Sequence, residues 1–161
     1  MDVAAELRAL TGSLSREGGV FGRVVDQVGG SVSGLVRQVA AEAEEAWKQY
    51  AVEGAVGPDT PVEIDDALLQ IDAERAVELL TYLATYDLVF PGPARRGRAH
   101  ARRAAERVVR LLGYEAAWYT NITELVPGAR AWNPVTRHTF DGVVAGTGGS
   151  FTVVLLQVGE D

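Results

Sequence analysis

The strand-like segment at the end of the chain, Phe151–Val158, restricts the fold more than any other stretch. Read as a strand, it points Phe151, Val153 and Leu155 to one side and Thr152, Val154 and Leu156 to the other. Both sides are largely apolar, and a strand of that kind needs cover on both faces. It is therefore expected between other elements, away from an open edge. Thr147-Gly148-Gly149-Ser150 joins it to a second run, Arg137–Gly146, which predicts an antiparallel hairpin.

Helical patterns dominate upstream. Asp2–Arg16 carries Val3, Leu7, Leu10 and Leu14 at three- and four-residue steps, and Gly18-Gly19 ends it. Asp72 is a fitting N-cap for Ala73–Tyr86. There Glu74, Glu78, Thr81 and Thr85 form one narrow polar stripe, while Val77, Leu79, Leu80, Leu83 and Ala84 fill most of the remaining circumference. This helix should be the most buried of the chain. Val62–Gln70 is ambiguous, VEI reading as a strand and DDALLQ as a helical turn. Tyr114–Ile122 is either a strand or a short helix, and Val126-Pro127-Gly128 suits a type II turn. The expected class is α+β, with four or five helices and a small antiparallel sheet whose clearest hairpin is C-terminal. At 161 residues, 1–161 is expected to form a single domain: a helical N-terminal arm, 1–52, and an α+β body, 62–161. A Gly- and Pro-containing loop separates the two.

Within the arm, Phe21, Val25, Val28, Val32, Leu35 and Val39 follow one another at steps of four and three. A heptad-like stripe suits packing along another helix, yet it crosses Gly29-Gly30 and Gly34, each costing about 1 kcal/mol in a helix. One long helix over 20–51 and two helices broken near Gly29-Gly30 are both compatible with the pattern. In either case these six residues form the expected self-association surface, with a second copy of the chain as one candidate partner.

The charge distribution points outward. Ala94–Leu112 holds Arg95, Arg96, Arg98, Arg102, Arg103, Arg107 and Arg110 against a single acid, Glu106. Removing those seven arginines and one glutamate from the chain's 15 Lys+Arg and 22 Asp+Glu leaves 8 basic and 21 acidic residues. A segment of +6 thus sits in a remainder of −13. At about 100° per residue, Ala101, Ala104, Ala105, Val108, Leu111 and Leu112 gather on one side, opposite the arginines. An amphipathic helix is predicted, with Pro93 in its first turn and Gly113 at its stop.

Other constellations are weaker. His138 lies near Trp132, Asn133, Thr136, Arg137 and Asp141, the ingredients of a base with a carboxylate orienter. On a regular strand, however, Asp141 and His138 differ in parity and face apart. A strand-end histidine touching solvent or a partner is the preferred reading. Ser150 falls in the expected hairpin turn, outside any nucleophile-elbow setting. The acids Glu63, Asp65, Asp66 and Asp72 match no EF-hand loop, and GTGGS lacks the P-loop frame. No metal or cofactor is expected. The chain has no cysteine, no apolar run of membrane-spanning length and no secretory h-region, so the cytosol is the expected location.

The sequence therefore reads as a non-enzymatic protein–protein interaction protein: a small acidic regulator, an immunity-type inhibitor or an assembly subunit. Its expected partner surface comprises Arg96, Arg103, Arg107 and Arg110 together with Trp132, Arg137 and His138. Binding of nucleic acid or phosphate by the same arginines is the alternative, and an enzyme centred on His138 the remaining one. A net charge of −7 disfavours general attraction to polyanions or anionic membranes.

Overall fold

The computed structural model describes residues 2–26, 31–90, 92–126 and 129–160. In order, its elements are α1 (Val3–Leu14), β1 (Val20–Asp26), α2 (Val32–Ala46), α3 (Pro61–Ala67), β2 (Leu69–Ile71), α4 (Ala73–Thr85), α5 (Arg98–Leu112), β3 (Ala117–Thr120), β4 (Ile122–Val126), β5 (Ala129–Trp132), β6 (Phe140–Gly148) and β7 (Phe151–Gly159). One 3-10 turn, Lys48–Tyr50, follows α2.

The doubly apolar segment forms β7, flanked by β1 and β6 in an antiparallel sheet of order β1-β7-β6-β3-β2. Gly149 and Ser150 make the two-residue turn from β6, with Gly149 at φ 58, a conformation open to glycine. Val153 and Leu155 enter one core with α1, α4, α5 and Trp118. Val154, Leu156 and Val158 enter a second core with α2 and α3. Helices therefore cover both faces, and the fold is α+β. A separate hairpin, β4–β5, stands beside the main sheet.

Local chemistry starts most of the helices. Asp2 accepts from the Ala5 N–H at 3.2 Å, Ser31 from Gly34 at 2.9 Å, Thr60 from Glu63 at 3.2 Å and Asp72 from Arg75 at 2.7 Å. Each cap satisfies an N–H that the first turn leaves without a helical partner. The polar stripe expected on α4 is only half exposed. Thr81 and Thr85 are buried, and the Thr81 hydroxyl donates back to the Val77 carbonyl at 2.7 Å. Over 62–70 the order of the expected elements is reversed: helix α3 comes first, begun by Thr60 and Pro61, and strand β2 follows. Within Tyr114–Ile122, Ala117–Thr120 forms strand β3 and Ile122 begins β4. The predicted turn at Pro127-Gly128 lies outside the described residues.

The N-terminal arm is not helical throughout. Residues 20–26 are strand β1, paired with β7 from Val20↔Gln157 to Asp26↔Phe151. A four-residue step is compatible with both periodicities, because it returns to the same face of a strand as well as to the same side of a helix. Phe21 and Val25 belong to the strand, whereas Val32, Leu35 and Val39 belong to α2. All five line the second core. Val28 lies outside the described residues. Five of the six residues of the expected self-association stripe therefore pack within the chain, Leu35 and Val39 buried and Phe21, Val25 and Val32 half-buried.

The sheet also sets tight steric limits. A Cβ on Gly146 would lie 2.5 Å from the Trp118 ring, whose indole is almost wholly buried. Gly146→Ala should destabilise the fold by about 1–3 kcal/mol through overpacking, read as a lower urea midpoint with an unchanged slope.

Candidate functional site: the arginine helix and the cleft beside it

Helix α5 starts later than its sequence suggests. Gly97 is its N-cap without a side-chain hydrogen bond, and residues 92–97 approach it as non-helical chain. Arg95 and Arg96 are thus held outside the helix: the Arg95 N–H donates to the Thr85 carbonyl at 2.8 Å, and Arg96 Nη1 donates to the Ser13 carbonyl. Burial pulls the Arg96 guanidinium below its ordinary pKa. Pro93 accordingly lies before the first turn. Gly113, at φ 97, ends the helix as expected.

Ala101, Ala104, Ala105, Val108 and Leu112 bury the inner side of α5 in the first core. The helix packs between α1 and α4, so its arginines fall into three groups. Toward α1, Arg107 Nε donates to Glu6 at 2.7 Å. That hydrogen bond holds Glu6 below, and Arg107 above, its ordinary pKa. On the outward side, Arg103 and Arg110 are exposed and form no ion pair among the described residues. Toward α4, Arg98 is exposed and likewise unpaired, while Arg102 Nε meets Glu106 at 2.9 Å. None of Asp65, Asp66, Glu74 or Glu78 pairs with an α5 arginine; Glu78 pairs instead with Arg75, at 2.9 Å.

The α4 flank opens into a cleft of about 740 Å³. Its walls are Arg75, Glu78, Leu79, Tyr82 and Tyr86 from α4 and its C-cap, Arg98 and Arg102 from α5, and Leu125, Val126, Ala129 and Arg130 from the β4–β5 hairpin. Four guanidinium groups thus share the lining with one carboxylate, two tyrosines and several aliphatic side chains. Tyr82 and Tyr86 have ring centroids 5.1 Å apart with planes inclined at 38°. Burial raises the Tyr82 phenol above its ordinary pKa, so at neutral pH it stands as a donor. Arg130 is pinned by its Nη2 bond to the Val89 carbonyl at 3.1 Å and by the Phe140 ring, 5.2 Å from its Cζ. Its Nη1 is buried without a partner among the described residues.

Two of these pairs are visible in the sequence after the fact. Tyr82/Tyr86 and Arg98/Arg102 are four residues apart, which sets each pair on one helix side. Nothing local indicates that Arg130 would join them.

The expected contribution of Trp132, Arg137 and His138 to a partner surface does not assemble. His138 precedes β6 and is buried, contrary to the solvent-facing reading; its Nδ1 lies 2.9 Å from Glu160 Oε1. Trp132 is half-buried against Phe140, with centroids 5.3 Å apart. Arg137 is exposed but turns to Glu44 at 2.9 Å. His138 and Asp141 do not converge either. The buried Asp141 carboxylate accepts from Asn121 Nδ2 at 2.7 Å, the Thr136 hydroxyl at 2.8 Å, and the N–H groups of Thr136 and Val135 at 2.9 and 3.2 Å. This is a staple closing the 133–139 loop onto β6, without an open position for substrate. Glu160 is desolvated, which alone would raise its pKa; hydrogen bonds from Thr139 and His138 outweigh burial and lower it. No cluster of three or more metal-ligating side chains occurs among the described residues, and no helix there is long and apolar enough to cross a membrane. Comparison of the chain with protein-family models, curated proteins and solved structures finds no match.

Burial pushes Asp141 up to about 6, above its ordinary 3.8, despite its hydrogen bonds. Between those values the folded chain retains a proton that the unfolded chain has released, so this group's contribution to stability falls as pH rises through the window. Asp141→Asn turns an amide N–H2 toward other donors and should cost about 1–3 kcal/mol. Because asparagine does not titrate, the gap between wild type and variant should narrow from pH 4 to pH 7 in urea unfolding. A gap that widens would show instead that the carboxylate is held ionised.

Proposed function

We propose that the chain is a non-enzymatic binding protein that docks on an acidic protein surface through the outward side of α5. The observation that supports this reading is the position of Arg103 and Arg110, exposed and without an ion-pair partner among the described residues. They stand on a body that carries the chain's acidic excess. Arginine is an enriched anchor of protein interfaces because its planar fork meets carboxylates through two hydrogen bonds at once. The surface is narrower than the sequence suggests, since Arg96 is committed to Ser13 and Arg107 to Glu6. An acidic protein partner fits better than nucleic acid because no Phe, Tyr or Trp interrupts the arginines of α5 to stack on bases. A small regulator, an inhibitor of immunity type and a subunit of a larger assembly all fit this mode of binding, with the cytosol as its proposed setting.

The test compares wild type with Arg103→Glu/Arg110→Glu. Both substitutions are on the solvent side, so the variant should unfold at the wild-type temperature. Affinity capture should retain an acidic protein with the wild type alone, and the purified pair should lose affinity by tenfold or more with the double substitution, about 1.4 kcal/mol. Capture that is equal for both proteins overturns the reading. Tight binding of a DNA duplex, with log K falling by about 0.9 per neutralised phosphate against log salt, would replace it with the nucleic-acid alternative.

A further inference from the structure

We propose that the cleft between α4, α5 and the β4–β5 hairpin is a separate binding site for a small phosphorylated molecule bearing a flat aromatic ring, with a nucleoside monophosphate as the matching class. The cleft is on the α4 flank of α5, away from the outward row of Arg103 and Arg110, and rests on observations of its own.

Size is the first. About 740 Å³ falls within the roughly 300–1,000 Å³ of small-molecule sites, which are apolar with a few placed polar groups. Charge is the second. Arg75, Arg98, Arg102 and Arg130 face Glu78 alone within the lining, an excess of three positive charges in a chain of net charge −7. A carboxylate would answer one of them, whereas a phosphate monoester carries about −1.5 to −2 at neutral pH and offers three strong acceptor oxygens.

Open donors are the third. The Arg98 side chain is exposed and has no hydrogen-bond or ion-pair partner among the described residues. Arg75 engages Glu78 through Nη1, and Arg102 engages Glu106 through Nε, so each keeps further N–H groups for a ligand. Arg98 also opens α5, whose first turn contains no acid and whose N-cap makes no side-chain bond. The positive end of the helix dipole there adds to the same field.

Shape is the fourth. Tyr82 and Tyr86 offer two adjacent aromatic surfaces, and Leu79, Leu125 and Val126 add apolar surface to the same lining. Base–aromatic stacking is worth about 1–3 kcal/mol by alanine substitution, which corresponds to five- to 150-fold in affinity. The cleft therefore holds guanidinium donors and aromatic rings in one lining.

Calorimetric titration of the full chain at about 50 mM salt tests this with adenosine 5′-monophosphate, adenosine, inorganic phosphate and benzoate. Adenosine 5′-monophosphate should bind, and the other three should bind at least about tenfold more weakly, since each lacks one half of the recognition. Arg98→Gln should weaken the nucleotide about tenfold at an unchanged unfolding temperature, because the exposed Arg98 side chain makes no hydrogen bond or ion pair among the described residues. Tyr82→Ala should weaken it while leaving inorganic phosphate unaffected. Arg103→Glu/Arg110→Glu should leave nucleotide binding intact, which separates this site from the protein-docking surface. Absence of nucleotide binding overturns the proposal, as does equal affinity of wild type and Arg98→Gln. Benzoate or inorganic phosphate matching the nucleotide would also overturn the assigned ligand class.

Discussion

Burial of β7 on both faces is the constraint from which the rest of the architecture follows. Val153 and Leu155 require one apolar layer, and Val154, Leu156 and Val158 require another. A single sheet face exposed to water would leave one set uncovered, at about 25 cal/mol for each Å² of apolar surface. The chain meets this by placing α1, α4 and α5 on one side and α2 and α3 on the other. With β1 and β6 hydrogen-bonded to its two edges, β7 is enclosed in every direction. The polar side chains nearby are then tied down: Gln157 donates to the Leu83 and Tyr86 carbonyls and accepts from the Leu88 N–H, so α4's end is fastened to the central strand.

That fastening has a consequence for charge. Helix α5 must bury its alanine and valine side against the sheet between α1 and α4, which leaves the arginines only the outer arc and the two seams. In the α1 seam Arg107 meets the Glu6 carboxylate and becomes part of the structure. In the α4 seam they meet other arginines and two tyrosines, and the cleft remains open. The same helix thus stabilises one neighbour, presents unpaired cations to solvent and lines a cavity, according to which residue falls on which side at 100° per residue. Exposed pairs such as Arg102–Glu106 contribute little to stability, so most of these arginines are not explained by folding energetics.

Much of the fold was legible because local rules sufficed. The β6–β7 hairpin, the cap at Asp72, the Gly113 stop and the α+β class all rest on short-range pattern and turn chemistry. In the arm, residues 20–26 depart from the helical pattern, because Phe21 and Val25, four residues apart, satisfy strand and helix periods alike. Gly29 and Gly30 signal a break in the helix there, but they do not tell a strand from a helix before it. His138 was placed outside because a single histidine near a strand end carries no burial signal. Its partner, Glu160, lies 22 residues away.

Read alone, the residues determine which side of α5 is apolar, that β7 needs two covers, and that a basic segment stands in an acidic chain. These are properties of spacing and composition, and they hold whatever the helix packs against. Only the tertiary structure decides which arginines are spent internally and which converge, because Glu6 and Arg107 are 101 residues apart and Arg130 reaches the cleft from a hairpin with no local tie to α4 or α5. Pairings of that separation depend on how the layers close over the sheet, and no periodicity in the chain encodes them.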